Sequence, residues 1–133
     1  MAEVSELSVI TKSRELCSYI LTVTDKSPKK FRFTLTFRLQ NYSISIIENL
    51  IRANEVRVLD RNRKVQMNRF EERRDFQHKA FTDIKMLSYL AHIAMEQGCI
   101  LPKQYEIITK YLFDCQFMLG AWVKSDNKRY EVE

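Results

Sequence analysis

The stretch Ser27-Pro-Lys-Lys-Phe-Arg-Phe-Thr-Leu-Thr-Phe-Arg-Leu-Gln-Asn-Tyr-Ser-Ile-Ser-Ile-Ile-Glu-Asn-Leu-Ile-Arg-Ala-Asn54 decides the fold of this chain. On a helical projection of about 100° per residue, Phe33, Phe37, Ile44, Ile47 and Ile51 fall on one side, and Leu35, Leu39, Tyr42, Ile46 and Leu50 on a second, separate side. Lys30, Thr34, Arg38, Asn41, Ser45, Glu48 and Arg52 recur every three or four residues and form a solvent-facing polar strip. A bundle core requires only one apolar stripe. Either both stripes make one wide buried face in a compact bundle, or one fills the protomer core and the other packs against neighbouring subunits. On the second reading Leu35, Leu39, Tyr42, Ile46 and Leu50 form the oligomer interface.

Working outward, the only prolines, Pro28 and Pro102, each open an apolar-periodic stretch, the placement that suits a residue without an N–H in a helix first turn. Four helices are expected, at about 4–25, 28–54, 61–97 and 102–124. The first carries Leu7, Ile10, Cys17, Ile20 and Leu21 on one face; the third ends with Gly98 as the residue that turns the chain. In the fourth, Tyr105, Ile108, Leu112, Cys115, Leu119 and Trp122 alternate steps of 3 and 4, the spacing of a bundle seam. The fold class is all-α, an antiparallel up-down four-helix bundle formed by residues 1–125, with 126–133 as a polar C-terminal tail. At 133 residues and 45% hydrophobic, one domain with a substantial core is expected.

Two glycines exclude the phosphate-cradling loops and the nucleophile elbow, which need more. Three cysteines, Cys17, Cys99 and Cys115, form no C-x-x-C pair and sit among apolar residues, as buried free thiols do. With no apolar leader at the acidic N-terminus and no run long enough to span a bilayer, a cytoplasmic protein without membrane contact is expected. Asp75 and His78 have the i,i+3 spacing of half a di-metal bundle site, but no second such pair exists. A metal-bundle oxidase is thus a remote third class, and no catalytic residue, metal or cofactor is assigned.

The charge is uneven. Residues 26–79 hold fourteen bases and six acids, a net +8, against −3 for the rest of the chain. Such a patch favours polyanions, because each neutralised phosphate releases condensed counterions. The competing reading is a solvated surface: Arg69-Phe-Glu-Glu-Arg-Arg-Asp75 has the spacing of a helix laced with i,i+3 and i,i+4 ion pairs.

The 27–54 stretch, together with Leu101-Pro-Lys-Gln-Tyr-Glu-Ile107 and Leu119-Gly-Ala-Trp-Val-Lys-Ser125, resembles helices two and four of the accessory variability determinant (Avd-like) four-helix-bundle family of diversity-generating retroelements. The resemblance covers roughly residues 4–125. It implies a non-catalytic basic protein that assembles as a barrel-like homopentamer and works with a reverse transcriptase and its template RNA in mutagenic cDNA synthesis. Lys26, Lys29, Lys30, Arg32, Arg38 and Arg52 match the positions that would meet nucleic acid or the polymerase. Arg57, Arg61, Arg63, Lys64, Arg73 and Arg74 extend that set into helix three, past a link between helices two and three that is longer and more charged than the family's. The alternative is an oligomeric protein–protein scaffold of the kind encoded by intervening sequences of ribosomal RNA genes, with its charge serving solubility.

Overall fold

The computed structural model describes the backbone of residues 2–130 and the side chains of 8–130. Four helices run in sequence: α1 (Ala2–Thr24), α2 (Phe37–Glu55), α3 (Arg63–Glu96) and α4 (Pro102–Tyr130). Consecutive helices pack side by side, α4 closes back onto α1, and the diagonal pairs barely meet. This is the up-down arrangement that short connections impose. Among the described residues there is no strand, and no helix is long and apolar enough to cross a membrane.

Entry into α2 is gradual. Pro28, extended at φ −56° and ψ 138°, stands just before the first turn rather than inside it. One 3₁₀ turn (Lys29–Phe31) and one π turn (Arg32–Thr36) then lead into the α-helix. Asn62 starts α3 by accepting hydrogen bonds from the Lys64 and Val65 amides at 3.0 and 3.2 Å, satisfying donors that a helix start leaves open. At the other end of α3, Gly98 adopts φ +81°. The Cys99 amide reaches back to the Ala94 carbonyl at 2.8 Å and the Gly98 amide to Met95 at 3.2 Å, closing the helix as a Schellman turn. Ser27 Oγ donates to the Cys99 carbonyl at 2.7 Å, so the α1–α2 and α3–α4 turns are clasped together at one end of the bundle.

The core is built from one stripe per helix. α4 contributes the expected seam, with Ile108, Leu112, Cys115, Leu119 and Trp122 buried and Tyr105 packed against it. α1 presents Val9, Leu16, Cys17 and Ile20, with Ser13 and Thr24 on the same side. Leu21, expected on that face, is exposed instead, and the side chain of Leu7 lies outside the described residues.

The C-terminal tail requires correction. α4 continues through Tyr130, and Asp126 and Tyr130 are buried; residues 131–133 lie outside the described set. The cause is Arg73. Its guanidinium pairs with Asp126 at 3.1 Å, donates from Nε to the Ala53 carbonyl at 3.2 Å and from Nη2 to the Val56 carbonyl at 2.7 Å. The Ala53 carbonyl, in the last turn of α2, accepts from the Val56 amide at 3.3 Å as well, and a cation there suits the helix dipole. Gln77 Nε2 donates to the other Asp126 oxygen at 3.0 Å, and the rings of Trp122 and Tyr130 each lie 5.7 Å from the guanidinium. Helices α2, α3 and α4 are thereby joined through one buried cation. Asp126→Ala should lower the unfolding free energy by about 3–5 kcal/mol, the usual effect of stranding a buried charge. Arg74→Ala, at an exposed position, should stay within about 0.5 kcal/mol; urea unfolding of both variants makes the comparison.

Candidate nucleic-acid interface

The expected contact residues divide into two end clusters and a connecting strip. Lys26, Lys29, Lys30 and Arg32 are exposed around the α1–α2 turn, where the Lys30 ammonium lies 5.1 Å above the Phe31 ring. Arg57, Arg61, Arg63 and Lys64 are exposed at the opposite end, in the α2–α3 loop and the first turn of α3. The α2 helix separates the clusters by about 28 Å for its 19 residues at 1.5 Å each. Arg38 and Arg52 lie between them on its outward side with Asn41 and Glu48, and Lys30 and Thr34 begin the same strip in the turns before α2, all exposed. Ser45, placed on the same strip, turns inward: with Asn49 it donates to the Asp83 carboxylate, at 2.6 and 2.9 Å, tying α2 to α3.

Arg73 leaves the contact set. It is buried in the pair described above, so its charge is spent on Asp126 and two carbonyls and offers nothing to a ligand. Its neighbour Arg74 is exposed, 5.2 Å above the Phe70 ring. The 69–75 run is not laced by ion pairs along its own helix either. Arg69 reaches Asp60 in the preceding loop at 3.2 Å, and Arg73 reaches α4. Lys26, Lys29, Lys30, Arg32, Arg38, Arg52, Arg57, Arg61, Arg63, Lys64 and Arg74 make no ion pair with any described residue.

The proposed interface stripe is reversed by the structure. Leu35, Leu39, Ile46 and Leu50 are buried in the protomer core and Tyr42 packs against it. The unpartnered stripe is the other one: Phe33, 76% exposed, with Phe37, Ile44 and Ile51, all exposed, and Ile47 partly covered at its margin. Phe33 and Phe37 meet edge to face, centroids 5.5 Å apart. Both stripes are equally apolar in sequence. The docking of α1 and α3 onto α2 selects which one is covered. The phase of Phe113 and Phe117, off the α4 seam, was likewise a readable signal, and both rings are exposed.

The cysteines sit in the core, each near a hydroxyl: Cys17 with Ser43 at 3.4 Å, Cys99 with Thr36 at 3.7 Å and Cys115 with Ser13 at 3.5 Å. Burial pushes the Cys115 thiol up to about 11, with the Ser13 hydroxyl opposing only in part. Asp75 and His78 lie exposed on α3, and His92 Nδ1 lies 3.3 Å from the Tyr105 hydroxyl. No group of three His, Cys, Asp or Glu side chains among the described residues is placed to hold a metal ion.

No protein-family model matches the chain, and no curated protein matches it. Among solved structures it is similar to a protein of unknown function from the S23 ribosomal protein family of Bacteroides thetaiotaomicron VPI-5482. The TM-score is 0.68 with 17% identity, covering 90% of this chain and 98% of that one. At that identity the likeness shows the fold.

Two outcomes follow. Ile44→Asp should leave the melting temperature near its original value and lower the native mass read by light scattering if the exposed stripe joins subunits, whereas Ile46→Asp, which buries a charge, should unfold the chain. Ellman's reagent at pH 8 should leave Cys115 unreacted in the native protein, because little thiolate exists three units below its pKa of about 11, and should titrate all three thiols in guanidinium.

Proposed function

We propose that this chain is a non-catalytic, self-associating accessory protein that binds nucleic acid through the exposed bases of α2 and its two flanking connections. In that role it serves a reverse transcriptase and template RNA of a diversity-generating retroelement, supplying binding while the polymerase supplies chemistry. The observation that carries the reading is the set of exposed cations without carboxylate partners, which runs from Lys26 through Arg38 and Arg52 to Lys64. Side chains already held by acids would have less to gain from a phosphate. Cations left in water release the phosphates' counterions on contact. The identity of the partner system rests on the resemblance of residues 27–54, 101–107 and 119–125 to the Avd-like family, and the S23-family neighbour contributes the fold alone.

A second reading has its own support. The exposed Phe33, Phe37, Ile44 and Ile51 stripe suits an oligomeric protein–protein scaffold, in which the bases serve solubility. Affinity for a structured RNA, measured on nuclease-treated protein across a salt series, separates the two. Log K should fall linearly with log salt, and Arg38→Glu with Arg52→Glu should reduce both affinity and slope, by about 0.9 in slope for each phosphate contact removed, with an unchanged melting temperature. Absence of binding at low salt would leave the scaffold as the function.

A further inference from the structure

The outward side of α4 has a pattern the bundle does not use. Lys103, Lys110, Phe117 and Lys124 recur every seven residues, with Phe113 one turn before Phe117, about 6 Å along the axis. Both rings are 70% exposed, and Tyr89, across the groove on α3, is 65% exposed. A hollow of about 510 Å³ lies between these two phenylalanines and Lys124, floored by Gly120 and Ala121, and a second of about 430 Å³ lies between Phe113 and Tyr89 beside Lys85. Nothing within 4 Å would meet a Cβ at Gly120, so the first hollow is open to solvent. Lys85, Lys110 and Lys124 make no ion pair with a described residue, and Glu106 is the one exposed carboxylate of α4 among the described residues.

Bare aromatic rings one turn apart, set among unpaired lysines, match the chemistry of a single-stranded nucleic acid, whose unpaired bases offer π faces and whose phosphates offer charge. A lipid surface fits less well, because the rings are interleaved with the lysines rather than gathered on a face apart from them. A second copy of the chain also fits less well. The other exposed apolar stripe, along α2 and the turn before it, is flanked by Glu48 and Glu55 as well as by Lys30, Arg38 and Arg52, so its border offers these lysines less opposite charge than a chain of phosphates does. We infer that the α3–α4 face is a binding site for single-stranded nucleic acid, with bases stacking on Phe113, Phe117 and Tyr89 and phosphates meeting Lys85, Lys110 and Lys124. Because α4 lies diagonally across the bundle from α2, this site is separate from the α2 bases and stands or falls independently of them.

The test compares fluorescence anisotropy of a labelled oligo(U) and a labelled RNA duplex of equal length, at fixed salt. The proteins are wild type, Phe113→Ala with Phe117→Ala, and the conservative pair Phe113→Tyr with Phe117→Tyr. Stacking predicts that the alanine pair weakens oligo(U) binding at least about thirtyfold while duplex affinity holds, and that the tyrosine pair restores it. An unchanged oligo(U) affinity, an equal loss on both ligands, or a drop in native mass of the alanine pair would overturn the proposal, the last by assigning the rings to a protein contact. Oligo(U) binding that depends on the rings, with no duplex binding by wild type, would refute the α2 reading and keep this one; no oligo(U) binding by wild type would refute this one.

Discussion

The buried pair between Arg73 and Asp126 is the constraint on which the rest of the bundle depends. Two charges leave water only when nearly every donor and acceptor they carry finds a partner. Here those partners come from three helices: the Ala53 and Val56 carbonyls at the end of α2, Gln77 on α3 and Asp126 on α4. The requirement ties down the end of α2, because the Ala53 carbonyl in its last turn and the Val56 carbonyl just beyond it both accept from Arg73. It also carries α4 beyond its hydrophobic seam, because Asp126 must be held in helical register for the pair to close. Phe70, Val58 and Tyr130 complete a small apolar cluster at that same end.

The opposite end is held by lighter means. The left-handed Gly98 closes α3, and Ser27 fastens one turn to the other through the Cys99 carbonyl. With both ends closed, the bundle requires no cation from the α1–α2 turn or the outward side of α2, and the bases there remain in water. The division of labour among the arginines follows. Arg73 and Arg69 are taken up by the fold, while Arg38, Arg52 and Arg74 remain on the surface. A helix turns about 100° per residue, so Arg73 and Arg74 have opposite fates one position apart.

Much of the architecture was legible because helical periodicity is a local property. Pro28, Pro102 and Gly98 punctuate the chain close to where the helices begin and end, and the seam of α4 is the one observed. The charge excess of residues 26–79 was equally readable. Harder to read was the choice between equivalent options. Leu35, Leu39, Ile46 and Leu50 cannot be told from Phe33, Phe37, Ile44 and Ile51 by hydropathy, and the set expected at an interface is the one the core buries. Arg73 could not be told from Arg74, nor Asp126 from a residue of a solvated tail, because their partners lie 53 and 49 positions away in sequence.

The sequence by itself determined four helices, their order and a basic middle, since each follows from residues within a turn or two of one another. Only the tertiary structure decided which apolar stripe is core, which arginine is structural, how far α4 runs, and that Phe113 borders both a hollow with Phe117 and Lys124 and one with Tyr89 and Lys85. Those outcomes depend on contacts between helices, where burial favours one arrangement among several that local propensity leaves equal in energy.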